Sequence, residues 1–121
     1  MSRRIEDLTP DMQAKVNEWR RQMDEAGIDY IITCTRRIQA EQNALYAKGR
    51  TEPGPKVTWT LNSRHLQGTA FDFVIIDNGQ PDWKMKNAYA WNKAVSIGRE
   101  LGLKQVVGKN GKPKEFAHLE M

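Results

Sequence analysis

The stretch SRHLQGTAFDFVII, residues 63–76, decides how the rest of the chain is read. Its second half, Ala70 to Ile76, is almost wholly apolar and carries the β-branched and aromatic residues that suit a strand. Successive strand residues alternate faces, so Asp72 shares one with Ala70, Val74 and Ile76, while Phe71, Phe73 and Ile75 point the other way. Both faces are apolar, which predicts a central, covered strand. An unpaired carboxylate at Asp72 would then cost several kcal/mol or stay protonated. Asp72 needs an arginine, a set of backbone donors or a metal ion. Asp77-Asn78-Gly79 is expected to turn the chain after the strand.

Working outward, the chain from Thr9 predicts a helix. Thr9 can cap it, and Pro10 suits its first position. Met12, Val16, Trp19, Met23 and Ala26 recur on one face, and Gly27 is a natural stop. IDYIITCT, residues 28–35, predicts a strand. A short helix is expected over 39–48, ended by Gly49, and TEPGPK reads as a loop. Val57 to Leu61 predicts a short strand. A helix over 84–101 would turn Ala88, Trp91, Val95 and Leu101 inward, with Gly102 closing it. Leu103 to Val107 and Glu115 to Glu120 predict the arms of a hairpin around Asn110-Gly111, the second arm irregular at Pro113. Helices and strands mix without βαβ alternation, so the class is α+β: a single domain over 1–121, a small antiparallel sheet with flanking helices, and an N-terminal helical segment, 1–27, packed on it.

Composition narrows the function. At 121 residues, 39% hydrophobic and 28% charged, the chain is ordinary globular material. A net charge of +4 and a pI near 9.3 favour an anionic partner, nucleic acid or an acidic cell-wall polymer. The basic residues do not cluster as a nucleic-acid stripe, so a solubilising surface charge is the plain alternative, and a nucleic-acid-binding domain ranks behind the readings below. Cys34 is the sole cysteine, which rules out an intramolecular disulfide. It lies in an apolar run and reads as a small buried hydrophobe. MSRRIEDLTPDM has no apolar core of a secretory signal, and no stretch has the length of a transmembrane span.

His65 lies seven residues before Asp72 in a polar loop, and a tight turn at Gly68 could bring the two together. The other histidine is His118, three residues after Glu115. Two histidines and an aspartate form a three-ligand zinc set that leaves a fourth position for water. A carboxylate such as Glu115 beside that set could take the water's proton. On a regular strand Glu115 and His118 would face opposite ways, so Glu115 is expected before the strand or on a bulge. The rival pairing for Asp72 is Arg36, Arg37 or Arg64.

Three motifs then resemble a known family. Ser63, His65, Gly68, Ala70 and Asp72 fit the pattern Ser-x-His-x-x-Gly-x-Ala-x-Asp. Glu115 and His118 fit Glu-x-x-His. TRRIQAEQNALYAKGRT, residues 35–51, is similar to Arg-x-x-x-x-Gln-x-x-Leu-Tyr-x-x-Gly-Arg-Thr. Together they resemble the zinc D-alanyl-D-alanine carboxypeptidases, and most of all the short L-alanyl-D-glutamate peptidases used as bacteriophage endolysins. The resemblance implies a Hedgehog/D,D-peptidase-like fold. It implies one zinc ion on His65, Asp72 and His118, with Glu115 as general base. Arg37 would bind substrate and hold the oxyanion, Ser63 would contact substrate or orient His65, and Glu120 would stand behind His118.

The chain departs from the family in two places. LKQVVGKNGKPKEFAHLEM replaces a Trp-Gly-Gly-Asp-Trp-like segment, and Arg36 stands where an aromatic residue is common. The expected substrate is the stem peptide of bacterial peptidoglycan, cut between L-alanine and D-glutamate. The alternatives are a D,D-carboxypeptidase or dipeptidase on the same site, or an inactive wall-binding module. A monomer is expected, held in the host cytoplasm until a holin-type membrane partner releases it to the wall, with no nucleic-acid partner and no stable membrane insertion.

Overall fold

The apolar strand that carries Asp72 is the axis of the sheet. In the computed structural model, which describes residues 1–106, 110–111 and 116–121, β2 spans Ala70–Asp77. β1, Tyr30–Cys34, lies antiparallel along one edge, pairing Tyr30 with Ile75 and Ile32 with Phe73. Beyond Ile32 the register slips by one residue, so that Cys34 comes opposite Asp72. Such bulges re-aim side chains and recur beside functional sites. Two short strands follow one another along the other edge. β3, Gln80–Pro81, pairs with the end of β2, and β4, His118–Glu120, pairs with its start. The β4 register sets His118 directly opposite Asp72.

Helix α1, Pro10–Glu25, is capped as expected: the Thr9 hydroxyl accepts from the Met12 N–H at 3.3 Å. Met12, Val16, Trp19 and Met23 are fully buried, and Ala26 is partly so. Trp19 meets Phe71 edge-on at 5.0 Å between ring centres and donates its indole N–H to the Ala94 carbonyl at 2.9 Å. That bond ties α1 to α3, Ala88–Glu100, whose Trp91 packs on Phe73. The Phe71/Phe73/Ile75 face of β2 thus supplies the apolar core, while the Asp72 face carries a polar cluster. Helix α2, Gln39–Ala47, stands beside that second face through Gln42, which bonds Arg37. Among the described residues, no helix is long and apolar enough to cross a membrane.

Several expectations need correction. Residues 57–61 form no strand; Val57, Trp59 and Leu61 are exposed, and Thr58 is the buried one. The edges of β2 are already taken by β1, β3 and β4, and the Gln42 side chain claims the backbone of this stretch instead. Helix α3 starts at Ala88 rather than near Lys84, because the Asp82 carboxylate accepts from the N–H groups of Lys86 and Asn87, and Met85 has φ of +55°. Ala88 is consequently exposed in the first turn, and Ala90 is buried in its place. Of the expected closing hairpin, Lys104 bridges Glu120 antiparallel and the second strand begins at His118. Val107 and Glu115, which the hairpin included, lie outside the described residues.

Candidate active site

Three donor atoms converge on the Asp72 side of the sheet. Asp72 Oδ1 lies 2.9 Å from His118 Nδ1 and 3.1 Å from His65 Nε2, and the two ring nitrogens are 3.2 Å apart. The fold makes this inevitable from three directions. β2 presents Asp72, and β4 sets His118 opposite it. A 3-10 turn over Arg64–Gln67 delivers His65. Gly68 ends that turn at φ of +72°, and its carbonyl accepts from Thr9 N–H at 3.1 Å. A Cβ there would meet Asp7, Leu8 and Thr9 backbone atoms at 3.3–3.4 Å, so the residue is small where the turn meets the start of α1.

The outer hydrogen bonds fix which electrons face inward. His65 Nδ1 lies 2.6 Å from the Thr35 carbonyl oxygen, which can only accept, so that nitrogen carries the proton. His118 Nε2 likewise donates to Glu120 Oε1 at 2.9 Å. With both rings neutral, His65 Nε2, His118 Nδ1 and Asp72 Oδ1 present three lone pairs to one another. Tetrahedral zinc, with bonds of about 2 Å, spaces its donors about 3.3 Å apart. The three separations come close to that figure, and the donor types suit the ion. The Thr35 and Glu120 contacts are those that orient metal-binding histidines.

The three groups are also electrostatically coupled. Burial alone would lower the His65 pKa, but its bonds to Asp72 and Cys34 lift it to about 10. Burial opposes ionisation of Asp72 too, yet the two histidines hold its carboxyl well below the usual range. His118 is raised, mainly by Asp72 against its burial. The carboxylate and the two imidazoles thus form one coupled cluster rather than three independent groups.

Cys34, Asp72 and His65 also lie within 4.8 Å of one another. The Cys34 thiol, however, approaches His65 Nδ1 at 3.7 Å, the edge already given to Thr35. An ion held by Nε2 has Asp72 and His118 as its neighbours. The buried place of Cys34 is as expected; its contact with His65 comes from the β1 bulge, which the sequence does not reveal.

Arg37 settles the question of the rival pairing by adding to the cluster rather than replacing it. Its Nη2 donates to Asp72 Oδ2 at 3.3 Å and its Nη1 to Gln42 Oε1 at 3.1 Å. Asp72 thus faces the histidines with one oxygen and the guanidinium with the other. Arg64 pairs with Glu120 at 3.6 Å instead. The Ser63 hydroxyl caps the 3-10 turn by accepting from His65 N–H at 3.2 Å, and Ser63 also lines the cleft. That cleft, of about 270 Å³, reaches the cluster at His118 and is walled by Arg37, Thr58, Trp59, Ser63 and Val106. Glu115 lies outside the described residues. Sequence reasoning missed the Thr35 carbonyl, which no side-chain motif can signal, and Trp59, which was assigned to a strand.

No protein-family model matches the chain. Among curated proteins it is 32% identical over 124 residues to the peptidoglycan L-alanyl-D-glutamate endopeptidase CwlK of Bacillus subtilis (strain 168), covering 95% of this chain and 74% of that relative. Among solved structures, the L-Ala D-Glu endopeptidase ChiX of Serratia marcescens superposes with a TM-score of 0.66 at 22% identity, covering 97% of this chain and 82% of ChiX. The LD-carboxypeptidase LdcB superposes with a TM-score of 0.66 at 21% identity, over 93% of this chain and 64% of LdcB. At such identities the two structures establish the shared fold.

Proposed function

The chain belongs to the peptidoglycan L-alanyl-D-glutamate endopeptidase family, and on that premise we propose that it is a zinc-dependent hydrolase of the L-alanyl-D-glutamate bond in the stem peptide. The observation that carries this is the meeting of three lone pairs beside an arginine in an open cleft. His65 Nε2, Asp72 Oδ1 and His118 Nδ1 would hold the ion. When bound, zinc supplies a Lewis acid that polarises a carbonyl and acidifies a water.

The protein's own groups do the rest. Thr35 and Glu120 keep both imidazoles in the tautomer that points a lone pair inward. Glu115, assigned from the Glu-x-x-His motif, takes the proton of the attacking water as its oxygen adds to the L-alanyl carbonyl carbon. It returns that proton to the D-glutamate nitrogen as the C–N bond breaks. Arg37, held by Gln42 and Asp72, stabilises the developing oxyanion with its guanidinium fork. Ser63 fixes the backbone of the turn that delivers His65 and lines the cleft.

The biological setting follows the resemblance to endolysins: lysis of the host cell by a monomer that waits in the cytoplasm until a holin-type partner opens the membrane. The charge of +4 supports attraction to an anionic wall. Mass spectrometry of purified peptidoglycan after digestion tests the activity. Stems with new D-glutamate amino termini are expected. Release of terminal D-alanine would reassign the site to a carboxypeptidase, and no product from zinc-loaded protein would leave a binding module.

A further inference from the structure

Residues 57–62 look like a strand in sequence and are built as a wall of the cleft instead. The buried Gln42 side chain donates to the Thr60 carbonyl at 2.6 Å and to the Thr58 hydroxyl at 3.4 Å. Arg50 donates to the Thr58 carbonyl at 3.2 Å, and Gln39 to the Leu61 carbonyl at 3.2 Å. Four bonds from three side chains therefore fix a segment that has no sheet partner. It displays Trp59, which lines the cleft and is 57% exposed. Lys56 stands 5.4 Å from the indole centre, and Arg50, stacked on Tyr46 at 3.7 Å, stands 5.9 Å from it, both at the outer range of a cation–π contact. A large aromatic surface left exposed beside the candidate reaction centre, on a backbone that four bonds hold in place, is suited to binding.

The substrate chemistry identifies that occupant. In peptidoglycan the L-alanine of the stem is joined directly to the lactyl group of an N-acetylmuramic acid. The sugar therefore begins within roughly two residue lengths, about 7 Å, of the L-alanyl-D-glutamate bond. Around the bond itself the nearby groups are the alanine methyl and the glutamate carboxylate. The methyl is too small to cover an indole, and the carboxylate suits Arg37 or Arg64 on the same cleft. The sugar is the one large group in reach with a flat C–H face. The wall around Trp59 also carries Thr60, Asn62 and Ser63, whose hydroxyl and amide groups match sugar hydroxyls and the N-acetyl group.

We propose that Trp59 is a glycan platform: its indole stacks on the N-acetylmuramic acid ring and seats the adjoining peptide bond over the metal cluster. This rests on the L-alanyl-D-glutamate specificity proposed above. Trp59 is a specificity-determining residue for sugar-bearing over sugar-free stems.

Two substrates separate the alternatives: a muramoyl-tripeptide, and the same tripeptide with an N-acetyl group in place of the sugar. Trp59→Ala should lower kcat/KM on the sugar-bearing substrate about tenfold, chiefly through KM, and stay within about twofold of wild type on the other. Trp59→Phe should recover most of the loss. Equal losses on both substrates, or none on either, would overturn the proposal. Titration of wild-type protein with the peptide-free disaccharide of N-acetylglucosamine and N-acetylmuramic acid, read by NMR at the Trp59 indole N–H, needs no turnover. A shift of that signal, absent for Trp83, is expected, and an unmoved signal refutes the platform. If the disaccharide binds there but wild type leaves both peptides intact, the bond assignment fails and the platform stands.

Discussion

If zinc occupies the proposed site, removing it should make the protein take up protons, and the number is readable from the site. With zinc bound, both imidazoles must offer lone pairs, so neither can be charged. Without it, His65 titrates at about 10 against an ordinary 6.5, because Asp72 faces it within a buried cluster. At pH 7.5 the metal-free His65 is therefore charged, and zinc binding must expel at least one proton. Calorimetric titration in buffers of different ionisation enthalpy should give that stoichiometry directly. Apparent zinc affinity should rise about tenfold per pH unit per proton expelled, and should level off as pH passes about 10. Stability of the metal-free form has the opposite sign. A raised histidine pKa stabilises fully below about 6.5, and that stabilisation, on the order of a few kcal/mol, is lost as pH rises towards 10. Urea melts of chelated protein across this window check it. Zinc binding with no proton release at pH 7.5, in protein shown by circular dichroism to be folded, would refute the account of the cluster.

Other consequences are as direct. His65→Ala and Asp72→Ala should lose stoichiometric zinc on gel filtration, measured by mass spectrometry of the metal. Glu115→Ala should keep the metal and lose at least about a hundredfold in turnover. Arg37→Lys retains charge but loses the fork that spans Gln42 and Asp72, and should cost roughly 10²–10³ in kcat/KM; unchanged steady-state kinetics would remove Arg37 from the chemistry. Gly98→Ala ought to gain about 1 kcal/mol in helix propensity. Its Cβ would instead lie 2.8 Å from Leu119 Cδ1, a fully buried side chain. Net destabilisation of about 1–3 kcal/mol in urea melts is expected, with weakened metal binding because Leu119 sits between His118 and Glu120.

Much of this was legible in the sequence where one local rule acted alone. Thr9-Pro10 marked the start of α1, and the spacing of Met12, Val16, Trp19 and Met23 gave its buried face. Strand β2 announced itself, including the oddity of Asp72. Legibility failed where a side chain overruled the backbone pattern. The alternation Val57-Thr58-Trp59-Thr60-Leu61 has strand character, but Gln42 and Arg50 take up carbonyls that a strand would give to a neighbour. Asp82 delayed α3 by capping groups four and five residues ahead. His65, Asp72 and His118 could be paired from motif chemistry. The Arg37 contact could not be chosen over Arg36 or Arg64, because it depends on how α2 sits beside the Asp72 face.

The short strand β4 has a mechanical meaning as well. His118 and Asp72 stand 46 positions apart in the chain, and three residues of strand hold that join. An ion shared between them would act as a reversible cross-link, closing the long excursion through β3 and α3. A covalent bridge over a loop of that length is worth about 4 kcal/mol in chain entropy. Chelation would thus unfasten a seam as well as silence a reaction. Proteolysis of the chelated protein should begin near β4, while α1 and β1 on the far side of the sheet stay protected.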